Sequence, residues 1–428
     1  MPLTICVYED DRVADFYPIS YLRPVYSMRA GIVPLFRRMD RFQPKATICL
    51  AARNHLAGMV AAEHKDFPVN IVQRDPEAEV LFVNGRLRDP GDLFDLVKTT
   101  RLTTVFKNQG ETVAVLFKKE CLASLGRIAT PEDFVKILER EASASADYDT
   151  TATLYHRCWE IMADVEHEIV ADFPHLTKSL PTPQDVTIHD GFMMIKKDDI
   201  YLGNGVEAMS GSIIDASHGP VFIGDYTKIE PQAAIYGPCY IGPNSVVVAG
   251  KIAGSSIGHT CRVGGEVEES VFQAYVNKYH AGFIGHSYVG SWVNFGAMTT
   301  NSDLKNNYST IRVSVNGESI DSGSIKVGSF IGDHTKFGIG TLLNTGINIG
   351  VCCNIYGGTL ISDKEVASFS WGNTDGYQTY RFDKAVETAR RTAGRRNVDL
   401  SDEEEAVLEA LSKGESPMDG VVRWKDLS

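Results

Sequence analysis

Aliphatic residues recur every six positions through the second half of this chain, a step that neither a helix nor a simple strand sustains. Ile223, Ile229, Ile235, Ile241 and Val247 form one run, and Ile331, Phe337, Leu343, Ile349, Ile355 and Ile361 form another. Val289 and Phe295 keep the interval between them. A helix repeats every 3.6 residues and a strand every two, so a step of six requires a solenoid whose short strands each give one side chain to an interior stack. Glycine follows the stacked residue at Gly224, Gly242, Gly290, Gly296, Gly332, Gly338 and Gly350, where the chain must turn. Three steps close one triangular coil, and successive coils pair as parallel strands about 4.8 Å apart. The spacing predicts a parallel β-helix of hexapeptide repeats from about Ile200 to Asp363.

The preceding residues follow another rhythm. Short β-like runs ("LTICVY", "ATICLAA", "NIVQ", "VLFVNG", "TVAVLF") alternate with helical patterns ("AGIVPLFRRMDRF", "PEDFVKILEREA"), which points to an α/β layer. At 428 residues the chain is too long for one ordinary core. We expect an α/β domain over residues 1–197, the β-helix over 198–365 and a helical tail over 366–428. The tail holds "FDKAVETARRTAGRR" and "SDEEEAVLEALSKG", the second opened by a Ser401-x-x-Glu404 capping box. It either covers the last coil or brings Arg390, Arg391, Arg395 or Arg396 to an anionic cofactor. The six-residue step is interrupted from "GGEVEESVFQAYVNKYHAGF" to "TTNSDLKNNYSTIRVSVNGESIDSGS". Polar side chains at that density cannot fill a coil interior, so this stretch is expected to project as loops.

Composition narrows the function. Net charge is −13 with no basic arm, which argues against general nucleic-acid binding. No apolar run is long enough to cross a bilayer, and a cytoplasmic location is the expectation. The eight cysteines have no C-x-x-C spacing, which fits packing thiols better than a disulfide framework or a zinc site.

Within the break, "NKYHAGFIGHSYVGSWVNFGAMTTNSDLKN" resembles the acetyltransferase half of the bifunctional family that makes UDP-N-acetylglucosamine. The match runs without gaps through His280, Ile284-Gly285, Val289-Gly290 and Val293-Asn294-x-Gly296-Ala297, and the likeness extends over the chain to a diverged, sugar nucleotidyltransferase-like branch. It implies a left-handed coil, a homotrimer with acetyl-CoA between neighbouring solenoids, and His280 as the general base that takes a proton from a sugar amine. An imidazole with a pKa near 6.5 suits that task. By the same resemblance Asn294 contacts the amino sugar and the Ala297 backbone lies along the thioester arm. Asn277, Lys278, Asn301, Asp303 and Lys305 either hold a sugar phosphate or are solvated loop residues. The sequence departs from the family at Phe283, where a tyrosine stands, and at Glu230, Glu268 and Glu269, which replace cations that hold the sugar's phosphate. Either Lys278, Lys305 and Arg312 stand in for them, or the acceptor differs.

The first domain lacks the glycine-rich loop of sugar nucleotidyltransferases, having no glycine before Gly31. Its back half still resembles their segment in Arg23-Pro24 and Arg29-Ala30-Gly31. Arg23 and Arg29 either bind nucleotide phosphates or pair with Glu9, Asp10 and Asp11. Asn84 and Arg86, in "FVNGRL", end a strand where such a fold places its ligands. If nucleotidyl transfer occurs, with UTP as the expected triphosphate, Mg²⁺ is implied, and Asp10, Asp11 and Glu160 are its candidate ligands. Three functions remain open: both transferases active, one half active, or a trimeric sugar-nucleotide-binding or scaffold protein.

Overall fold

The computed structural model describes residues 3–72, 78–119, 146–415, 418 and 420–423. The pattern "PEDFVKILEREA" lies outside them.

Six strands build the first sheet: β1 (Leu3–Tyr8), β2 (Thr47–Leu50), β3 (Glu79–Asn84), β4 (Thr104–Asn108), β5 (Glu111–Phe117) and β6 (Ala146–Asp149), in spatial order β2-β1-β3-β5-β4-β6. β1 runs parallel to β2 and β3, and β5 runs antiparallel to both its neighbours. β1 and β3 are buried along nearly their whole length, which suits their continuous apolar runs. "NIVQ" forms no strand over its described residues: only an isolated bridge joins Leu50 to Val69. "AGIVPLFRRMDRF" shortens to a 3₁₀ turn at Leu35–Arg38 and one helical turn at Met39–Phe42, because Pro34 cannot continue a helix from the residues before it. Helices α1 (Ala57–Glu63), α2 (Leu93–Thr99), α3 (Cys158–Ala163) and α4 (Val165–Thr177) complete the domain.

The second domain is a parallel β-solenoid of about ten turns. All thirteen residues of the six-residue series are buried in one continuous stack. The first coil opens earlier than the hexapeptide step suggests, with Thr187–Ile188 paired to Glu207–Ala208 and Met193–Ile195 to Ile213–Asp215. At the other end the coils run on to Ser370–Asn373, which pairs antiparallel with Gly376–Thr379 and so ends the ladder. The corner glycines are there for close approach: a Cβ on Gly242 would lie 2.6 Å from the Gly258 carbonyl carbon, and one on Gly332 would lie 2.7 Å from that of Gly350.

The predicted break is half correct. Residues 264–283 stay in the coil, with Arg262 paired to Asn277 and Glu266 to Phe283. Here coils shorten: Val246 pairs with Arg262 and Arg262 with Asn277, where elsewhere Lys228 pairs with Val246. Only residues 302–328 leave the coil, and they carry a hairpin, Arg312–Val315 with Glu318–Asp321. Its Ile311, Val313 and Val315 pack with Phe16, Ile19 and Trp159 of the first domain, so the insertion clamps the two domains together.

Tail helices α5 (Phe382–Gly394) and α6 (Asp402–Ser412) form as expected, with the Ser401 hydroxyl accepting the Glu404 N–H at 3.1 Å. α5 lies against the last coils of the solenoid and α6 against the first domain. Val407, Leu408 and Leu411 of α6 bury against Ile48, Leu50 and Val60, and Ala385 of α5 joins the same core beside Cys352 and Phe369. Among the described residues no helix is long and apolar enough to cross a membrane.

Candidate functional site

His280 lies at the corner that follows the first face of a coil. Its ring is exposed, with only an edge contact to Tyr279 at 5.4 Å between centroids. The corner is one rung of a ladder: Met298 N–H donates to Ala281 O at 2.9 Å, and Gly340 N–H to Ala297 O at 2.8 Å. Ala297 therefore lies one coil beyond His280. Around them stand exposed apolar side chains, Met298 (60%), Ile339 (76%) and Tyr356 (42%), with Leu342 and Leu360 beyond. Contiguous apolar exposure of this kind marks a contact surface.

Lys278 is not on a loop. It pairs in register with Val263, at an interior stack position, and is 1% exposed. Its ammonium meets only carbonyls, those of Gly264 and His280. Burial without a carboxylate lowers its pKa to about 8. Lys278 thus props the His280 corner from inside and cannot reach a substrate in the solvent.

The other acceptor candidates divide. Asn277 and Asn294 are partners across one coil, with Asn277 Nδ2 donating to Asn294 Oδ1 at 2.8 Å, and both line a cavity. Asn301 is internal, corrected from the loop position: its amide accepts from Gly285 N–H at 2.9 Å and donates to Gly285 O at 3.0 Å, replacing a missing ladder bond. Asp303 accepts from His286 Nδ1 at 2.7 Å, and Lys305 and Arg312 bond within their own insertion. The acidic departures have internal partners too. Glu268 pairs with Lys251, and Glu269 lies 3.1 Å from His286 Nε2. Burial alone would lower the pKa of His286, but hydrogen bonds to Asp303 and Glu269 raise it to about 9. This clamp was visible in the sequence only as three residues one coil apart. Phe283 lies over Gly285, where a Cβ would come within 2.3 Å of its ring.

The first-domain candidates all turn inward. Arg23 makes a bidentate bond to Asp333 of the solenoid, and both are buried. Arg29 is buried beside the Tyr240 ring, its guanidinium carbon 5.1 Å from the centroid, and donates to Ile32 O. Tyr288 and Gln273 of the solenoid bond to the backbone of Arg29 and Ser27. The segment that resembles a phosphate-binding one is therefore the domain interface. Gly31 follows from this packing, since a Cβ there would lie 2.8 Å from Glu168 and Asp172 side-chain atoms. Arg86 holds Asp10 through Nε at 3.0 Å and Nη2 at 2.6 Å, and Asn84 donates to the same carboxylate at 2.8 Å.

These contacts also test the Mg²⁺ ligands. Asp10 is saturated by Arg86 and Asn84, and Glu160 accepts the His156 N–H at 2.6 Å. Among the described residues no group of three or more acidic, histidine or cysteine side chains is arranged to hold a metal. Asp10 and Glu160, engaged in this way, do not fit Mg²⁺ ligands as they stand.

A strap from the tail reaches the carboxyl ends of β1 to β3. Val422 N–H donates to Glu9 O at 3.0 Å and Asp11 N–H to Val422 O at 3.1 Å, and the valine is fully buried with Cys6, Tyr8, Cys49 and Phe82. In an open α/β sheet this is the crevice where ligands bind. Nothing in the local sequence of the strap announces that contact.

Fold and site together define a two-domain chain, a nucleotidyltransferase-like α/β domain joined to a parallel β-solenoid. Residues 5–180 match the family described as sugar nucleotidyl transferase. The bifunctional sugar-1-phosphate nucleotidylyltransferase/acetyltransferase of Sulfurisphaera tokodaii is 32% identical over 123 residues, covering 29% of each chain. The bifunctional protein GlmU of Methanococcus vannielii is 29% identical over 139 residues, covering 32% of this chain and 31% of that one. The chain thus spans about a third of the length of these curated relatives. Among solved structures, the UDP-N-acetylglucosamine acyltransferase of Campylobacter jejuni aligns at 12% identity and a TM-score of 0.28, covering 55% of this chain and all of that one.

Proposed function

We propose that the chain is a bifunctional transferase of nucleotide-sugar synthesis. Its solenoid acetylates an amino-sugar phosphate from acetyl-CoA, and its first domain joins a sugar 1-phosphate to a nucleoside triphosphate, UTP by the resemblance. The product would be an N-acetylated sugar phosphate or its UDP derivative, made in the cytoplasm for cell-envelope synthesis.

One observation carries the acetyl-transfer half: a solvent-facing histidine one coil before Ala297, on an edge whose other side chains are apolar. The neutral imidazole of His280 accepts a proton from the sugar ammonium. The freed amine attacks the thioester carbonyl, and CoA leaves as a thiolate that takes up a proton. The apolar edge supports a homotrimer, in which a second copy covers Met298 and Ile339 and excludes water from the thioester. Asn277 and Asn294 then face the acceptor, and the Ala297 backbone runs beside the thioester arm.

For the nucleotidyl half, the strap supports a gated reading. A triphosphate, with the Mg²⁺ it carries, reaches the carboxyl ends of β1 to β3 only when Val422 leaves. Asn84 and Arg86 then act as the frame of that crevice through Asp10, while Arg23 and Arg29 hold the domain interface.

The test is release of CoA from acetyl-CoA with glucosamine 1-phosphate, in the wild type and in His280→Ala. A base of this kind contributes roughly 10²–10⁴-fold, and a loss in that range is expected. Unchanged turnover would remove His280 from the mechanism. If neither acetyl-CoA nor any nucleotide raises the melting temperature, the scaffold reading replaces this one.

A further inference from the structure

Between α5 and the first face of the solenoid lies a cavity of about 270 Å³ whose walls carry three cations and no carboxylate. Its floor is a ladder in register, Asn277 to Asn294 to Lys336, and Arg262 continues it one coil earlier. Its roof is the end of α5, with Arg395 and Arg396. Tyr275 and Trp292, stacked at 3.9 Å between centroids, close one side.

This accumulation runs against the balance of the whole chain, which carries 55 acidic residues against 42 basic ones. Elsewhere on α5 the arginines are neutralised: Arg390 pairs with Glu405 and Arg391 with Glu387. Among the described residues no carboxylate pairs with Arg395, Arg396 or Lys336. Acids are close by, but on the other side of the aromatic wall, where Glu63, Asp333, Asp399 and Glu404 line a separate cavity. Burial, then repulsion from Arg262 and Arg395, holds Arg396 below the usual arginine range. Burial lowers Lys336 to about 8, and its ammonium donates only to Trp292 O. Three like charges converging on one cavity without a counterion repel one another, and an anion in the cavity would relieve that repulsion.

We infer that this cavity binds a phosphomonoester, the dianion held by Lys336, Arg395 and Arg396 and the adjoining hydroxyls met by the amides of Asn277 and Asn294. Arginine forks and a lysine ammonium are the groups that bind such a dianion strongly. Thr388 and Thr392 add hydroxyls to the roof. The site would supply the cations that Glu230, Glu268 and Glu269 do not. In identifying the ester it rests on the acetyl-transfer reading, which offers two sources, the acceptor sugar's phosphate and the 3′-phosphate of CoA.

The experiment is calorimetric titration of the full chain at low salt with two matched pairs: glucosamine 1-phosphate against glucosamine, and CoA against 3′-dephospho-CoA. In at least one pair the phosphorylated ligand should bind at least tenfold more tightly, and that pair identifies the source. The preference should vanish in the Arg395→Ala/Arg396→Ala double variant and in Lys336→Met, and return in part in Arg396→Lys. Melting temperatures within a few degrees of wild type would confirm that the variants fold. No preference in either pair, or a preference that survives in both variants, overturns the inference. Because binding is read rather than turnover, an inactive His280 corner would leave this result intact, and the converse holds.

Discussion

Ending the chain after Glu415 removes the strap and leaves α6 in place, so it opens the crevice at β1 to β3 without disturbing the helix that anchors the tail. The size of the effect follows from what Val422 contributes. A fully buried valine is worth roughly 1.5–3 kcal/mol, and its two backbone hydrogen bonds about 0.5–1.5 kcal/mol each. Against this, ordering the four described residues 420–423 costs about 1–2 kcal/mol apiece. The terms nearly cancel. Since the docked form is the one observed, its net advantage lies between zero and about 2 kcal/mol, at the favourable end of these ranges. A ligand that needs the open form binds more weakly by the fraction of chains that are open, so truncation should tighten UTP binding by about 2- to 30-fold. Val422→Ala, which keeps the backbone bonds, should fall between. Calorimetric titration of the three proteins with UTP and Mg²⁺ reads this directly. Equal affinity in the full and truncated chains, or weaker affinity after truncation, would refute the gated crevice.

Two buried bases should tilt stability with pH in opposite directions. The Glu269–His286–Asp303 clamp raises the imidazole from 6.5 to about 9, so its contribution is fully present below pH 6.5 and is lost as pH rises through 9. Glu166 and Lys326 also face this clamp. His286→Asn should lower the urea midpoint most at pH 6–7, by the equivalent of roughly 3 kcal/mol, and little above pH 9; a pH-independent loss would mean that the imidazole is not charged there. Lys278 is depressed from 10.5 to about 8, so the folded state gains stability as pH rises between those values. Lys278→Met should therefore raise the urea midpoint at pH 7, and a lowered midpoint would show that the two carbonyl bonds outweigh the cost of burying the charge.

The solenoid was legible because one side chain per strand must fill one stack, and that demand is written every six residues. It faded between Val246 and Asn294 because coils there shorten at corners built on Gly250, Gly265 and Gly282, all with positive φ. A change of coil length leaves the interior intact but destroys the periodicity, so regular coil looked like loop. The inward turn of Arg23 had no comparable signal. A guanidinium aimed at a phosphate and one aimed at Asp333 are identical in sequence, and the deciding partner lies 310 residues away. The same holds for Val422 against Glu9. Asn277 and Asn294 were easier: they lie 17 residues apart, one coil, so the motif that carried their resemblance also put them on one face.

The acidic departures follow from where the cations have gone. Glu268 and Glu269 are engaged by Lys251 and His286, so that stretch of solenoid wall is closed to a phosphate. The cations left unpaired near Asn294 come from α5 and Lys336, which moves the charge recognition of a ligand from the coil to the tail. The tail also carries the strap, which raises the question of whether the two sites communicate. Between Arg396 and Val422 stands α6, fixed to the first domain by Val407, Leu408 and Leu411 and to the solenoid by the bond between His334 Nε2 and Glu404 at 2.8 Å. A helix buried in this way isolates its two ends. Releasing the strap should therefore leave phosphomonoester binding unchanged, and the truncation and the arginine variants should act additively, as independent sites do.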